Sequence, residues 1–330
     1  MKDIILLVFS LGIILMGAEI FTNGIEWLGK RLRLGEGAVG SILAAVGTAL
    51  PETMIPIMAI LSQSDTGGHD VGIGAILGAP FMLGTLALFV VGISVLLFRR
   101  HNRSMNIKPK VMLRDLKFFL IVYSLAIIAS FLPSHSLKLF TILILIGAYL
   151  TYVYETIKSS HGEVDFNEDL PPCYFARRCK EPRLIIILGQ IVVALLIIVV
   201  GAKMFIDSVQ EVAWSAGIPV FVLTLIITPV ATELPEKFNS ILWVRRGKDT
   251  LAMGNITGAM VFQSSVIPAL GIALTPWVLE PLALASALLV LASAGLQYVF
   301  LLRNRTLYPA GLLFGGVFYA VFIFLVVKGY

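Results

Sequence analysis

Apolar stretches long enough to cross a membrane as helices recur along the whole chain, separated by short polar segments. A transmembrane helix needs about 20 predominantly apolar residues. The pattern predicts ten spans, at residues 3–27, 36–62, 71–98, 116–133, 137–157, 184–208, 218–243, 250–272, 278–302 and 307–327. Strands of a membrane barrel would alternate in polarity, and runs such as LIIILGQIVVALLIIVV do not alternate. The chain is therefore predicted to be an all-α integral membrane protein with ten transmembrane helices.

Composition and charge agree with a helical membrane protein. Of the 330 residues, 58% are hydrophobic and only 14% charged, and the mean hydropathy is +0.93. The net charge of +5 does not indicate a nucleic-acid partner, because Lys and Arg residues concentrate in the odd-numbered loops. The even-numbered loops and both termini hold only Lys2, Lys138 and Lys328. The positive-inside rule therefore predicts cytoplasmic odd-numbered loops and external termini in a plasma (inner) membrane. No obligate protein partner is evident, and the lipid bilayer is the expected surrounding.

The polar segment between the fifth and sixth spans is longer than the other loops. It contains the turn-forming and charged run HGEVDFNEDLPP, followed by Cys173 and Cys179 in PPCYFARRC. Both cysteines are expected to be free thiols, because the cytoplasm is reducing. A metal site would need ligands that this loop does not supply nearby. Residues 161–182 are therefore predicted to be a cytoplasmic linker between two halves.

The sequence contains an internal repeat. GAEIF (17–21) matches GAKMF (201–205) and GTALPE (47–52) matches ATELPE (231–236) at one offset of 184 residues, and GAILGA (74–79) matches GNITGA (254–259) at an offset of 180. The two halves, 1–160 and 183–330, hold five predicted spans each. Because five is odd, the second half enters the membrane from the opposite face, as the charge bias also indicates. Inverted repeats with broken helices at matching positions are typical of secondary transporters, whose site lies near the midplane.

Acidic residues follow Leu-Pro at matching positions of the repeat, as Glu52 and Glu236. Pro51 and Pro235 each remove a backbone donor and interrupt the helix. A carboxylate at the centre of a span costs about 2.5–3.5 kcal/mol on insertion scales, so such residues usually have a function. Hard cations bind carboxylate, carbonyl, hydroxyl and amide oxygens. The predicted cation-binding set is Thr48, Glu52, Thr232, Glu233, Glu236 and Asn255. The cations are expected to be transported substrates, and no cofactor is expected.

At these residues the chain resembles the calcium/cation antiporter superfamily, the sodium/calcium exchangers and their prokaryotic relatives. That family carries a duplicated G-T-S-L-P-E segment, each followed by G-N-x-x-G-S-N. The resemblance implies that Glu52 and Glu236 are the paired cation-binding acids and that Thr48 and Thr232 are the paired threonines. It also implies a secondary active antiporter that exchanges Ca²⁺, or a related cation, for Na⁺ or H⁺ by alternating access.

The chain departs from the pattern of this family at several positions. The serine that follows the threonine is replaced by Ala49 in the first half and by Glu233 in the second. Ala75, Pro80 and Met260 stand where the resemblance leads us to expect amide or acid ligands. The predicted site therefore keeps its two acids, gains a third, and loses several oxygen donors.

The third acid, Glu233, has two interpretations. Three neighbouring carboxylates repel, so that one of them could hold a proton when no metal is bound, which favours a proton-coupled exchanger. Alternatively, Glu233 forms an ion pair with Lys237, four residues further along the chain. Lys203, a second lysine inside a predicted span, could likewise neutralise the extra charge, but it is expected to form an ion pair with an acid such as Glu19 or Asp207.

Other functions remain open from the sequence. An intramembrane metal-dependent enzyme is disfavoured, because His69, His101, His135 and His161 are all assigned to loops. A channel or a scaffold on the same fold would retain the spans without coupled exchange. A channel would pass current without a counter-ion, which distinguishes it from an antiporter.

Overall fold

The computed structural model describes residues 2–31, 50–62, 66–99, 104–160, 171–179, 181–247 and 249–328. These ranges are helical apart from short connections, and no β-strand occurs in them. The α-helices are α1 Lys2–Arg31, α2 Leu50–Ser62, α3 Thr66–Met82, α4 Leu88–Phe98, α5 Pro109–Ala129, α6 His135–Ser160, α7 Leu184–Ala216, α8 Val220–Thr232, α9 Leu234–Arg245, α10 Asp249–Leu274, α11 Pro281–Asn304 and α12 Pro309–Lys328. A π-helical turn, Leu83–Ala87, joins α3 to α4. The prediction of an all-α protein is confirmed for the described part of the chain.

Several helical segments of the described ranges are long and apolar enough to cross a membrane. There are seven: Asp3–Leu28, Gly68–Phe98, Ser136–Thr156, Leu184–Ala216, Ala252–Leu274, Pro281–Asn304 and Pro309–Lys328. They correspond to seven of the ten predicted spans, which identifies a multi-pass membrane protein. The spans predicted at 36–62, 116–133 and 218–243 are not among them.

Two of these three differences have a physical origin, and the first reflects which residues the structure describes. Residues 36–49 lie outside the described part of the chain, which leaves only the short helix α2 of the span predicted at 36–62. Helix α5 carries Arg114, Asp115 and Lys117 in one turn, which lowers its apolar character. The span predicted at 218–243 is divided into α8 and α9.

The helices form two compact units. The first consists of Met1–His69 and Leu150–Ile218, and the second of Asp70–Tyr149 and Pro219–Tyr330. Each unit therefore combines segments from both halves of the sequence, 1–160 and 183–330. The boundaries of the two predicted repeats remain a sequence-based prediction.

In the first unit, α1 packs along α7 through small residues of the repeated motifs. A Cβ atom on Gly17 would lie 2.8 Å from Cγ1 of Ile198, and one on Gly201 would lie 2.9 Å from Cγ1 of Ile14. Gly24 is similarly close to Ile191. Small residues allow such close approach between membrane helices, where packing rather than the hydrophobic effect drives association.

The last part of the linker docks on the same pair of helices. The indole Nε1 of Trp27 donates to the carbonyl of Pro171 at 2.9 Å. The amide Nε2 of Gln190 donates to the carbonyl of Ile20 at 2.9 Å, while its Oε1 accepts the backbone N–H of Phe175 at 2.9 Å. Cys173 is buried beside Trp27, whereas Cys179 is exposed, and neither forms a disulfide. Gln190 therefore joins α1, α7 and the linker.

In the second unit, two glycines of the GAILGA motif bring α3 against α8. A Cβ atom on Gly74 would lie 2.8 Å from the carbonyl oxygen of Phe221. One on Gly78 would lie 2.4 Å from the carbonyl oxygen of Leu225 and 2.8 Å from Pro229 Cγ. No larger side chain fits at these positions without movement of the α8 backbone.

The π-helical turn lies in the same unit and shifts backbone hydrogen bonding at the end of α3. The hydroxyl of Ser293, on α11, donates to the carbonyl of Gly84 at 2.6 Å. A π-turn leaves carbonyl groups without their usual helical partner, and side chains of neighbouring helices can satisfy them. Ser293 supplies that hydrogen bond inside the apolar interior.

Candidate functional site

The repeated Leu-Pro-Glu segment lies in the first turn of both α2 and α9. In each helix the proline occupies the second position, where the absence of a backbone N–H leaves no helical hydrogen bond unmade. Glu52 is buried, with 3% of its surface exposed. A carboxylate in the first turn of a helix is stabilised by the positive end of the helix dipole. The sequence therefore places two acids in equivalent helical positions.

The side chains of two predicted site residues, Thr48 and Glu236, lie outside the described part of the chain. Thr48 lies outside the described residues. Glu236 is the third residue of α9, but its side chain is also outside the part that the structure describes. Thr232, Glu233 and Asn255 lie within the described part of the chain.

Glu233 stands at the corner between α8 and α9. Its backbone angles are φ −94° and ψ 6°, outside the helical values of its neighbours. The turn nevertheless continues the backbone hydrogen bonds, because the N–H of Glu233 donates to the carbonyl of Pro229 at 3.1 Å and the N–H of Lys237 donates to the carbonyl of Glu233 at 3.1 Å. The break is thus a local deviation that turns the Glu233 side chain toward α10.

Pro229, Glu233, Lys237 and Gln263 form a buried polar group, which we call the Glu233 cluster. Gln263 Nε2 donates to Glu233 Oε1 at 3.3 Å. Lys237 Nζ lies 3.2 Å from Glu233 Oε2 and donates to the carbonyl of Pro229 at 3.2 Å. Glu233 is 1% exposed. Of the two interpretations of Glu233, the described geometry is that of the ion pair with Lys237.

Two oxygens beside this cluster have no hydrogen-bond donor among the described residues. They are Gln263 Oε1 and Thr228 Oγ1, both buried. Thr232 donates its hydroxyl to the carbonyl of Thr228 at 3.0 Å, which leaves the lone pairs of Thr232 Oγ1 available. Neutral amide and hydroxyl oxygens of this kind are suitable ligands for Na⁺ or Ca²⁺.

Gln263 and Thr228 were not predicted from the sequence. Both are polar residues inside apolar helices: Gln263 lies in VFQSSVIP, and Thr228 lies one turn before Thr232. That signal was available, but their relation to Glu233 depends on how α8 and α10 pack. Polar residues inside every predicted span, and not only those in the repeated motifs, are the sequence signal that indicates Gln263 and Thr228.

The remaining predicted ligand, Asn255, lies on α10 and contacts α9. Its Nδ2 donates to Ser240 Oγ at 3.5 Å, and Ser240 in turn donates to the carbonyl of Ala252 at 3.2 Å. The described residues contain no group of three or more His, Cys, Asp or Glu side chains that could hold a metal ion.

The ion pair predicted for Lys203 is wrong within the described part of the chain. Lys203 is exposed on α7 and forms no ion pair with Glu19 or Asp207 there. Glu19 instead accepts a hydrogen bond from the hydroxyl of Tyr174, and this bond raises the pKa of Tyr174. The long aliphatic stem of an exposed lysine can reach the membrane surface without an acidic partner.

Known proteins with similar sequences are membrane proteins and antiporters. The chain is 24% identical to inner membrane protein YrbG of Escherichia coli over 305 residues, covering 92% of this chain and 90% of YrbG. It is 23% identical to the putative antiporter CaxA of Alkalimonas amylolytica over 304 residues, covering 90% of this chain and 88% of CaxA.

Solved exchanger structures share the fold. The crystal structure of the H⁺/Ca²⁺ exchanger CAX matches with a TM-score of 0.75 and 19% identity, covering 98% of this chain and 82% of CAX. The sodium-calcium exchanger NCX_Mj matches with a TM-score of 0.58 and 18% identity, covering 98% of both chains. The likeness to these two exchangers shows that the chain has the same fold.

The family model for the sodium/calcium exchanger protein matches the chain in two segments, residues 2–158 and 186–328. The gap between them, residues 159–185, contains the predicted linker, and the two segments together contain both Leu-Pro-Glu motifs and the Glu233 cluster. The chain therefore belongs to the sodium/calcium exchanger protein family.

Proposed function

We propose that the protein is a secondary active antiporter that exchanges Ca²⁺, or a related cation, for Na⁺ or H⁺ across the plasma membrane by alternating access. The observation that carries the proposal is the placement of Glu52 and Glu236 in the first turns of α2 and α9, with Glu52 buried at 3% exposure. Intramembrane acids are costly to bury and are retained where they bind ions or protons. Membership of an exchanger family supports this proposed role for the two acids.

Coupling would arise because both ions use the same carboxylates. A divalent cation at Glu52 and Glu236 excludes the counter-ions, and the counter-ions must leave before Ca²⁺ binds again. Neutral oxygens of Thr232, Thr228 and Gln263 are further proposed ligands within the second unit, since Ca²⁺ takes six to eight oxygen ligands. Thr48 and Asn255 remain proposed ligands by their places in the repeated motifs.

We also propose ten transmembrane helices in two inverted repeats, 1–160 and 183–330, with the linker 161–182 in the cytoplasm and both termini outside. The contact between α1 and α7 supports the repeat. Gly17 meets Ile198, and Gly201 meets Ile14, so that each glycine contacts the isoleucine three residues before the other glycine. Such reciprocal contacts are what a two-fold relation between the helices produces.

A non-coupled channel on the same fold is the alternative that experiment must exclude. Purified protein in proteoliposomes should take up radiolabelled Ca²⁺ when a Na⁺ or H⁺ gradient is imposed, and a K⁺ gradient of equal size serves as the control. Uptake that needs the gradient of one counter-ion supports antiport. Ca²⁺ movement that follows the membrane potential alone, without any counter-ion, would show a channel, and no Ca²⁺ movement under any gradient would reject Ca²⁺ as the exchanged cation.

A further inference from the structure

The ammonium of Lys237 occupies a position that resembles that of a bound cation. Its Nζ lies 3.2 Å from the carboxylate oxygen Oε2 of Glu233 and 3.2 Å from the main-chain carbonyl oxygen of Pro229. Carboxylate and main-chain carbonyl oxygens are the two ligand types that hard cations prefer in proteins. The side chain of Lys237 is 9% exposed and that of Glu233 is 1% exposed, so the pair is enclosed.

The orientation of the Gln263 side-chain amide indicates where the Glu233 cluster could bind a further ligand. A carboxylate can only accept hydrogen bonds, so the contact between Gln263 and Glu233 fixes the amide with Nε2 toward Glu233. Gln263 Oε1 is thereby turned away, and this oxygen is buried without a hydrogen-bond donor among the described residues. A buried acceptor that no protein group satisfies is a place where a cation or water is expected.

We propose that Lys237 is a tethered cation of the exchange site: its ammonium neutralises Glu233 and thereby lowers by one the number of mobile counter-ions that load the site. This inference rests on the proposed exchange function. The side chain of Lys237 belongs to α9 and cannot diffuse away as a mobile ion does. Lys237 is therefore a specificity-determining residue, which sets the stoichiometry of exchange rather than binding Ca²⁺ itself.

Removing the ammonium should expose this role. Lys237→Met removes the ammonium that lies 3.2 Å from Glu233 Oε2. A buried carboxylate that has lost its cationic neighbour favours a mobile cation or a proton at that place. The Hill coefficient for the counter-ion that drives wild-type uptake should then rise by about one, with a matching change in the current measured per Ca²⁺. Lys203→Met is the matched control, because Lys203 also lies inside a span but is exposed and has no ion pair among the described residues; it should leave the Hill coefficient unchanged.

Two further variants keep the test decisive if Lys237→Met does not fold. The double variant Glu233→Gln with Lys237→Met removes both charges and should return the Hill coefficient to the wild-type value. Glu233→Gln alone leaves an unbalanced ammonium, which should weaken binding of radiolabelled Ca²⁺ to the purified protein by at least about tenfold. A Hill coefficient for Lys237→Met equal to wild type, or wild-type Ca²⁺ affinity in Glu233→Gln, would show that Lys237 is a structural charge.

The same assay separates this inference from the function on which it rests. If wild-type protein shows no counter-ion-driven uptake, the proposed exchange is wrong. If wild-type exchange is present and the Hill coefficient is insensitive to Lys237, only the tethered-cation role is wrong.

Discussion

Gly17 of α1 lies against Ile198 of α7 with no room for a side chain between them. A Cβ atom at Gly17 would come within 2.8 Å of Cγ1 and 3.2 Å of the backbone nitrogen of Ile198. The isoleucine side chain could move slightly, but the backbone nitrogen is fixed by its helix. This contact therefore sets how closely the two longest described helices of the first unit can approach.

Large residues at the contact should separate these helices. We expect Gly17→Leu and Gly201→Leu each to destabilise the protein by about 1–3 kcal/mol, the usual range for overpacking, visible as a lower unfolding temperature in detergent. Gly12→Leu on α1 and Gly189→Leu on α7 are matched controls, because a Cβ atom at either position meets nothing within 4 Å. Equal unfolding temperatures for Gly17→Leu and Gly12→Leu would contradict the role of the contact.

Neutralising either repeat-related acid should stop exchange. Glu52→Gln and Glu236→Gln keep the size of the side chain but remove its charge, so each is expected to lower counter-ion-driven Ca²⁺ uptake by about a hundredfold, equivalent to about 2.7 kcal/mol of binding. Both variants should elute from size exclusion as the parent does. Glu211→Gln is the control, since Glu211 is an exposed acid on α7. Wild-type uptake by either variant would remove that residue from the site.

The two cysteines of the linker differ in exposure, which allows a test of the predicted topology. Cys179 is exposed and Cys173 is buried, so that only Cys179 should react rapidly with a thiol reagent. We expect a membrane-impermeant reagent to label Cys179 in inside-out vesicles and not in intact cells, as a cytoplasmic linker requires. Labelling of Cys179 from outside intact cells would place the linker on the other face and reverse the predicted topology.

The docking of the linker should depend on Gln190. Besides its bonds to Ile20 and Phe175, this side chain donates to Asn23 Oδ1 at 3.0 Å and accepts from the thiol of Cys173 at 3.2 Å. Gln190→Leu leaves buried groups unpaired, at about 1–3 kcal/mol for each. Cys173 should then react with a membrane-permeant thiol reagent many times faster than in the parent. The rate at Cys179 in the same protein is the internal control, and an unchanged Cys173 rate would show that Gln190 does not hold the linker.

Hydrophobic periodicity and the internal repeat predicted the helical class and the burial of Glu52. They also predicted all seven helical segments of the described ranges that are long and apolar enough to span the membrane. These properties depend on local composition, which a sequence displays directly. The ion pair of Glu233 with Lys237 could be stated only as one alternative, since a side chain at a helix break can point in several directions. The contact with Gln263 depends on how α8, α9 and α10 pack, and no local pattern encodes it. The ion pair predicted for Lys203 was wrong because the exposure of Lys203 on α7 depends on how the helices assemble, which the local sequence does not show.

The pairing of α1 with α7 has a consequence for biosynthesis. Gly201 is synthesised 184 residues after Gly17, which at about 5–20 residues per second corresponds to about 10–40 s. During this interval the glycine face of α1 lacks its partner α7. The bilayer tolerates the delay because a lone helix already satisfies its backbone hydrogen bonds internally. Helices α1 and α7 can therefore pack together only after the linker has been synthesised, when nearly two thirds of the chain is complete.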